Sequence, residues 1–379
     1  MKVLIVSKAS TVAVHRGKLR ELARLGADVT VIAPPRWGNQ PFEVTEEEGY
    51  KLRILPCWFT PHNHFHFYPA RIGPIDADIV YLEEEPWSLV THQFMRICVK
   101  ARKPTIFMTF QNIYRDYPPP FDFFERYTFT HAAGAIPGNA EALQVLREKG
   151  FHKPAAIIAF GLNPQVFFKR DATPLRQKLG IDDSFVIGFV GLIVPTKGIE
   201  DLLRAFALLP PRSTLLVLGG GPFQQQAQQL AAALGVAGRV RWVPSVPSLQ
   251  VPDYMNSLDV LVLPSRTTPG KKKEQFGRVL IEAMACEKPA VGSSSGEIPN
   301  VIADAGLVFP EGDVQALAAQ LRCLYDSPEL CSRLGSRGRT RVMQNFTDRK
   351  IAEKHLAFYQ EVLSTRHSGH RDQVGQIQA

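Results

Sequence analysis

Short apolar runs alternate with stretches of helical periodicity along nearly the whole chain, and this alternation narrows the fold more than any other feature. The runs at 2–6, 28–33, 79–82, 105–108 and 134–136 have the length of strands, and a second set follows at 186–189, 214–218, 240–243, 260–263 and 290–292. Strands buried on both faces read as near-continuous Val, Ile and Leu, and strands that alternate with helices build parallel sheets covered on both sides. Two sheets are expected, because 379 residues with 45% hydrophobic content outrun the roughly 250–300 residues at which a single core stops growing. Phe160-Gly161-Leu162-Asn163-Pro164 is a turn-forming segment between the two sets and the expected hinge.

This predicts a first domain at 1–163, a second at 164–346, a helix at 347–363 and a polar, disordered tail at 364–379. In the helix, Thr347 suits the N-cap, Phe346 and Ile351 a hydrophobic staple, and Ile351, His355, Phe358 and Val362 an apolar stripe. The opening Met1-Lys2-Val3-Leu4-Ile5-Val6-Ser7-Lys8 has too short an apolar run for a signal peptide and reads as a first strand. No stretch approaches the roughly 20 apolar residues of a membrane span. Five cysteines without a C-x-x-C pair argue against disulfides and a zinc site and for a reducing cytosol. The net charge of +8 suits a polyanionic partner, either nucleotide phosphates or an anionic membrane surface.

The chemistry concentrates between 259 and 286. Asp259-Val260-Leu261-Val262-Leu263-Pro264 reads as a buried parallel strand, 265–273 as the loop beyond its carboxyl end, and 276–285 as a helix packed on the sheet. Ligands of open α/β sheets sit at that edge, and a helix N-terminus there suits a phosphate or diphosphate. Glu274 precedes the helix and Glu282 lies within it among Val279, Leu280, Ile281 and Met284, where a carboxylate needs a partner. Arg278, one turn earlier, is one candidate; a pair of vicinal hydroxyls, such as a ribose, is the other.

The string Glu274-x-Phe276-Gly277-x-x-x-x-Glu282-Ala283-Met284-Ala285, followed by Lys288-Pro289-Ala290-Val291-Gly292-Ser293 and Gly296-Glu297-Ile298-Pro299, closely resembles the donor-binding signature of the family 4 glycosyltransferases. Gly191-Leu192-Ile193-Val194-Pro195-Thr196-Lys197-Gly198, Gly219-Gly220-Gly221-Pro222 and Asp304-Ala305-Gly306-Leu307-Val308-Phe309-Pro310 resemble its other markers, in order. The resemblance implies the GT-B architecture: two Rossmann-like parallel-sheet domains facing each other across a cleft, the first for the acceptor and the second for the nucleotide-sugar, with the last helix crossing back onto the first domain. It implies transfer of a sugar from a UDP- or GDP-sugar to an acceptor hydroxyl, with retention at the anomeric carbon and no essential metal or cofactor. By match, Lys197 would neutralise the departing diphosphate, Glu274 would orient the donor sugar, Glu282 would hold the ribose, and Gln275, Phe276 and Gly277 would offer backbone N–H groups.

Two departures from the family pattern stand out. The arginine that usually follows the first-loop glycine is here Leu192, and Arg266 or Lys271, Lys272 and Lys273 are the cations that could replace it. The histidine usual after the strand at 105–108 is matched by Gln111, which can hydrogen-bond a sugar hydroxyl but cannot act as a base. Glu83, Glu84 and Glu85 follow the strand at 79–82 and read either as acceptor-binding carboxylates or as a solvated acidic loop. His62, His64 and His66 alternate among aromatic residues, which favours a packed aromatic loop over a metal site. The glycine-rich turn usual after a first strand is replaced by Ser7-Lys8-Ala9-Ser10-Thr11.

The function expected is that of a cytoplasmic glycosyltransferase, at the inner face of the membrane, in cell-envelope, polysaccharide or glycolipid synthesis, with a saccharide or lipid-linked acceptor and no nucleic acid partner. The alternatives are a nucleotide-sugar epimerase on the same plan, and a non-catalytic nucleotide-sugar-binding protein, for which Leu192 and Gln111 speak. The nucleotide base, sugar, acceptor, linkage and oligomeric state have no transferable code in the sequence.

Overall fold

The computed structural model describes residues 1–44, 49–268, 270 and 272–375, with backbone alone from 366 onwards. The chain forms two compact units, Met1–Gly161 together with Asp348–Ala379, and Leu162–Thr347.

The first unit is built on strands β1 (Lys2–Val6), β2 (Asp28–Ala33), β3 (Lys51–Ile54), β4 (Ile79–Leu82), β5 (Thr105–Thr109) and β6 (Gly134–Pro137). They form one parallel sheet in the order β3-β2-β1-β4-β5-β6. The period-2 pattern divides its residues between two cores. Val3, Ile5, Val29, Val31, Ile79 and Tyr81 face one side, and Leu4, Val6, Ile32, Val80, Leu82 and Phe107 the other. Helix Asp348–Gly375 covers the first side, burying Ile351, His355, Phe358 and Val362, the stripe expected from the sequence. It runs past the expected end at 363, and residues 376–379 lie outside the described residues.

The second unit repeats the plan with β7 (Phe185–Val190), β8 (Ser213–Leu218), β9 (Val240–Val243), β10 (Val260–Leu263), β11 (Ala290–Ser293) and β12 (Gly306–Phe309), all parallel, in the order β9-β8-β7-β10-β11-β12. Both sheets therefore read 3-2-1-4-5-6, and in each the order reverses between the first and fourth strands, the point at which open α/β sheets bind ligands.

The pattern expected five strands per sheet, and each sheet has six. The additional ones, β3 and β12, are edge strands. Lys51–Ile54 alternates charged and apolar residues and is buried at no position, while Gly306–Phe309 opens on a glycine and buries only Phe309.

Candidate functional site

In the second unit, the loops after β7 and β10 leave the sheet on either side of the reversal and are tied together by backbone: Arg266 N donates to Thr196 O at 2.9 Å. Lys197 ends a short 3-10 turn, Pro195–Lys197, and Gly198 follows with φ 69°. A Cβ at Gly198 would lie 1.8 Å from Pro264 O, so only glycine lets the two loops approach this closely. The approach brings Lys197 Nζ to 2.5 Å from Glu274 Oε2, and Ser265 Oγ donates to the same oxygen at 2.6 Å. Ser293 Oγ, at the end of β11, donates to Ser265 O at 2.6 Å and fixes the serine from behind. Burial pushes the Glu274 carboxyl up, but the Lys197 ammonium, the Ser265 hydroxyl and the Gln275 N–H outweigh it and hold it below the ordinary carboxylate range.

The helix after this loop spans Arg278–Ala285, two residues later than expected, because Gly277 adopts the left-handed conformation (φ 79°) and caps it from outside. A Cβ at Gly277 would meet Leu263 Cδ2 at 2.7 Å. Phe276 is buried, 5.7 Å from the Phe346 ring, and Gln275 is exposed. Glu282 keeps 15% of its side chain exposed and lies 3.2 Å from Arg278 Nε, the charge partner the sequence offered. The contact is poorly aligned, and Arg278 Nε is a buried donor without a hydrogen-bond acceptor. Burial is the dominant influence on Glu282 and raises its pKa to about 7 against the opposing pull of Arg278. With Arg278 so placed, the carboxylate keeps hydrogen-bonding capacity for a ligand.

Arg266 is placed differently from its expected role. Its guanidinium forms a two-pronged pair with Asp201, a buried carboxylate in the first turn of helix Ile199–Ala207. Thr267 is fastened to Glu311 through its N–H and through Oγ1, the latter at 2.8 Å, which holds the loop from the other side. A cation already matched by a carboxylate is a poor substitute for a free phosphate clamp, so Arg266 is reassigned to loop anchoring. Lys272 is exposed and bridges by backbone to Thr268, and Lys271 lies outside the described residues. Leu192 is 55% exposed.

In the first unit, the acidic triplet is neither a solvated loop nor an open set of carboxylates. Glu83 pairs with Lys18, Glu84 with Lys8, and Glu84 Oε1 also lies 3.5 Å from His66 Nε2. Burial would raise Glu84, but Lys8 and His66 prevail and lower it to about 2. Glu85 accepts from Thr109 Oγ1 at 2.6 Å and Phe110 N at 3.0 Å, and burial lifts it to about 7. All three carboxylates spend hydrogen-bonding capacity internally, which counts against the acceptor-binding role expected of them. Gln111 is buried, its N–H donates to Thr109 Oγ1 at 3.1 Å, and its side-chain Nε2 has no hydrogen-bond partner. After β1, the turn Lys8–Thr11 is capped by Ser7 Oγ, which accepts from Ser10 N at 3.2 Å and replaces glycine chemistry with a side-chain cap. His62, His64 and His66 pack in the aromatic loop expected, with His64 5.3 Å from Phe121 and His66 4.8 Å from Trp37.

Sequence reasoning missed Ser265, Ser293, Asp201, Glu311 and Thr267. Ser265 and Ser293 stand where strands β10 and β11 end, a positional signal, but hydroxyls there have too many uses to be assigned. Asp201 and Glu311 lie far from Arg266 and Thr267 in sequence and become legible only once the loops are folded.

Comparison with known proteins agrees with this geometry. N-acetyl-alpha-D-glucosaminyl L-malate synthase of Bacillus anthracis is 32% identical over 213 residues, 55% of this chain and 54% of that protein. The GDP-mannose-dependent alpha-(1-6)-phosphatidylinositol monomannoside mannosyltransferase of Mycolicibacterium smegmatis is 30% identical over 232 residues, 59% of this chain and 57% of that one. The chain thus spans about half the length of the curated relatives it matches. Among solved structures, sucrose-phosphate synthase from Thermosynechococcus elongatus has a TM-score of 0.76 at 18% identity, covering 96% of this chain and all of that one. Anabaena HepE in complex with UDP also has a TM-score of 0.76, at 19% identity, covering 95% of this chain and 100% of that one. These likenesses show a shared fold, the GT-B class expected from the sequence. Residues 171–341 match the family model described as glycosyl transferases group 1, and the unit Leu162–Thr347 that contains them is a domain of that family.

Proposed function

We propose that the protein is a retaining glycosyltransferase that moves a sugar from a nucleotide-sugar, a UDP- or GDP-sugar, to an acceptor hydroxyl. The observation that carries this reading is the Lys197–Glu274–Ser265 cluster at the strand reversal of the second unit, with Glu282 on the helix just beyond. Breaking the bond from sugar to diphosphate develops negative charge on the leaving group and positive charge on the sugar. Lys197 meets the first demand, Glu274 binds hydroxyls of the sugar, and Glu282 receives the ribose. Gln275, Phe276 and Gly277 line the approach with backbone. By its match to the family histidine, Gln111 is the candidate contact to a sugar hydroxyl, and its Nε2 has no hydrogen-bond partner. An amide does not take a proton at neutral pH, so the acceptor proton goes to the departing phosphate. Positive charge comes from a side chain, and the reaction as written requires no metal. The acceptor is a saccharide or a lipid-linked saccharide of envelope or polysaccharide synthesis, handled on the cytoplasmic side of a membrane; among the described residues no helix is long and apolar enough to cross one.

The test is incubation with UDP- and GDP-sugars and candidate acceptors, followed by NMR of the product. A glycoside with the anomeric configuration of the donor supports the reading, and an inverted product removes the retaining mechanism. A nucleotide-sugar that changes its sugar with no acceptor present would instead make the protein an epimerase. Donor binding without either product would leave the non-catalytic alternative suggested by Leu192 and Gln111.

A further inference from the structure

The first unit also holds a cavity of about 320 Å³ whose lining includes none of the residues assigned above. Its walls come from the segment after β5, from helix Phe121–His131, and from Lys149, which closes helix Ala140–Glu148 after β6. These strands form the edge of the sheet beyond β4, away from the reversal between β1 and β4. Lys149 keeps only 6% of its side chain exposed and donates to both oxygens of Glu125, at 2.8 and 2.9 Å. Its ammonium also lies 4.8 Å from the centre of the Tyr117 ring and 5.5 Å from that of Tyr114, and Tyr117 stacks on Trp87 at 4.5 Å. Asp122 holds Arg126 through Oδ2 at 2.9 Å, while its Oδ1 accepts no hydrogen bond. Tyr114 hydrogen-bonds Asp116 and is 47% exposed, and Asp116 and Arg126 are exposed beside it.

The charges of this lining select the ligand. Three carboxylates against two cations, Arg126 and Lys149, disfavour an anion. A cation finds the place between the tyrosine rings already taken by the Lys149 ammonium, and among the described residues no three His, Cys, Asp or Glu side chains are grouped to hold a metal. A neutral polyhydroxyl ligand suits both facts, because carboxylates accept from its hydroxyls, Arg126 donates to them, and the C–H face of a pyranose packs on the open tyrosine ring. We propose that this cavity binds a neutral saccharide unit that takes no part in bond making, at residues separate from those proposed for transfer. The site goes beyond the transfer reading and stands whether or not the chain transfers a sugar.

Saturation-transfer difference NMR of the whole chain without nucleotide tests it, with trisaccharides of glucose, mannose, galactose and N-acetylglucosamine, and with trigalacturonate as the anionic counterpart. At least one neutral trisaccharide binds, and trigalacturonate binds more weakly. Asp116→Ala lowers the affinity about tenfold or more, the scale of one lost hydrogen bond to a charged group. Tyr114→Ala lowers it as well, and both positions are exposed, so unchanged thermal melting confirms that the variants fold. Gln111→Ala, at the site proposed for transfer, leaves this binding unchanged. Binding of none of the neutral trisaccharides, a preference for trigalacturonate, or an affinity that survives both cavity substitutions would overturn the proposal. So would a loss confined to Gln111→Ala, which would assign the saccharide to the transfer site. A chain that binds saccharide here and transfers none would refute the proposed function and leave this site standing.

Discussion

Lys197 and Glu274 stand 77 positions apart in the chain and meet at 2.5 Å, across the reversal of strand order in the second unit. The first unit has a counterpart: Lys8, after its first strand, pairs with Glu84, after its fourth. Under the proposed function, the pair in the second unit would join the two charges that sugar transfer needs, one for the diphosphate and one for the sugar. Each fixes the other, so substituting one misplaces its partner as well. Lys197→Ala is expected to lower turnover about 10²–10³-fold, the scale of losing one fixed donor to developing negative charge. Glu274→Ala should also lower it, and the double variant should lose less than the sum, with a coupling of about 0.5–3 kcal/mol. Strict additivity in steady-state kinetics would show that the two act separately.

Glu282 is expected to serve every nucleotide alike. Calorimetry with the free nucleoside diphosphate should show weaker binding for Glu282→Ala; for Glu274→Ala, which also releases Lys197, the loss should be larger for the sugar-bearing donor than for the free nucleoside diphosphate. Unchanged affinity in a folded Glu282→Ala variant would leave the carboxylate as nothing more than the partner of Arg278.

The same residue makes a pH-dependent contribution to stability. Its folded-state pKa, raised by burial to about 7 from 4.5, means that the neutral acid is the form the fold prefers. The stability it contributes is fully present below about pH 4.5 and is lost as pH rises through about 7. Glu282→Gln should therefore melt above the wild type at about pH 8, by up to about 3 kcal/mol in unfolding free energy, with the advantage vanishing below about pH 5. A difference independent of pH would mean that Glu282 is charged throughout.

Gln111→Ala should lower the turnover number more than it weakens donor binding, because a hydrogen bond that tightens as the sugar flattens acts in the transition state. Kinetics with the true acceptor separate the two effects, and a variant that keeps its turnover number would confine Gln111 to supporting the loop after β5.

The two sheets, the last helix and the glycine-spaced loops were legible because each is written in local period or in residues that the backbone demands. The stripe Ile351, His355, Phe358 and Val362 is a helical repeat, and Gly198 and Gly277 take the left-handed backbone conformation that favours glycine. The edge strands β3 and β12 were not legible, because an edge strand needs no continuous apolar face. The anchoring of Arg266 to Asp201 was hidden for a different reason: both are charged residues near an expected phosphate site, and only the folded loops decide whether such a cation faces a ligand or a carboxylate. The internal pairing of Glu83, Glu84 and Glu85 was missed likewise, since Lys18, Lys8 and Thr109 come from three separate segments.

Arg266→Ala accordingly acts on stability. It leaves Asp201 buried without its charge partner and should cost about 1–3 kcal/mol in denaturant unfolding, with a smaller effect on turnover than Lys197→Ala. Leu192→Arg should raise turnover of the wild type by restoring a second cation beside the diphosphate. Arg266→Ala with normal stability and abolished turnover would return Arg266 to the chemistry.

The measurement that bears most directly on the account is a thermal-shift panel of UDP-, GDP- and other nucleotide-sugars, run on the wild type, Lys197→Ala and Glu282→Ala. One donor class should stabilise the wild type, by about 2.7 kcal/mol at 100 times its dissociation constant, and both variants should lose most of that gain. A panel in which no nucleotide-sugar shifts the wild type, or in which the shift survives both substitutions, would contradict a donor site built on Lys197, Glu274 and Glu282.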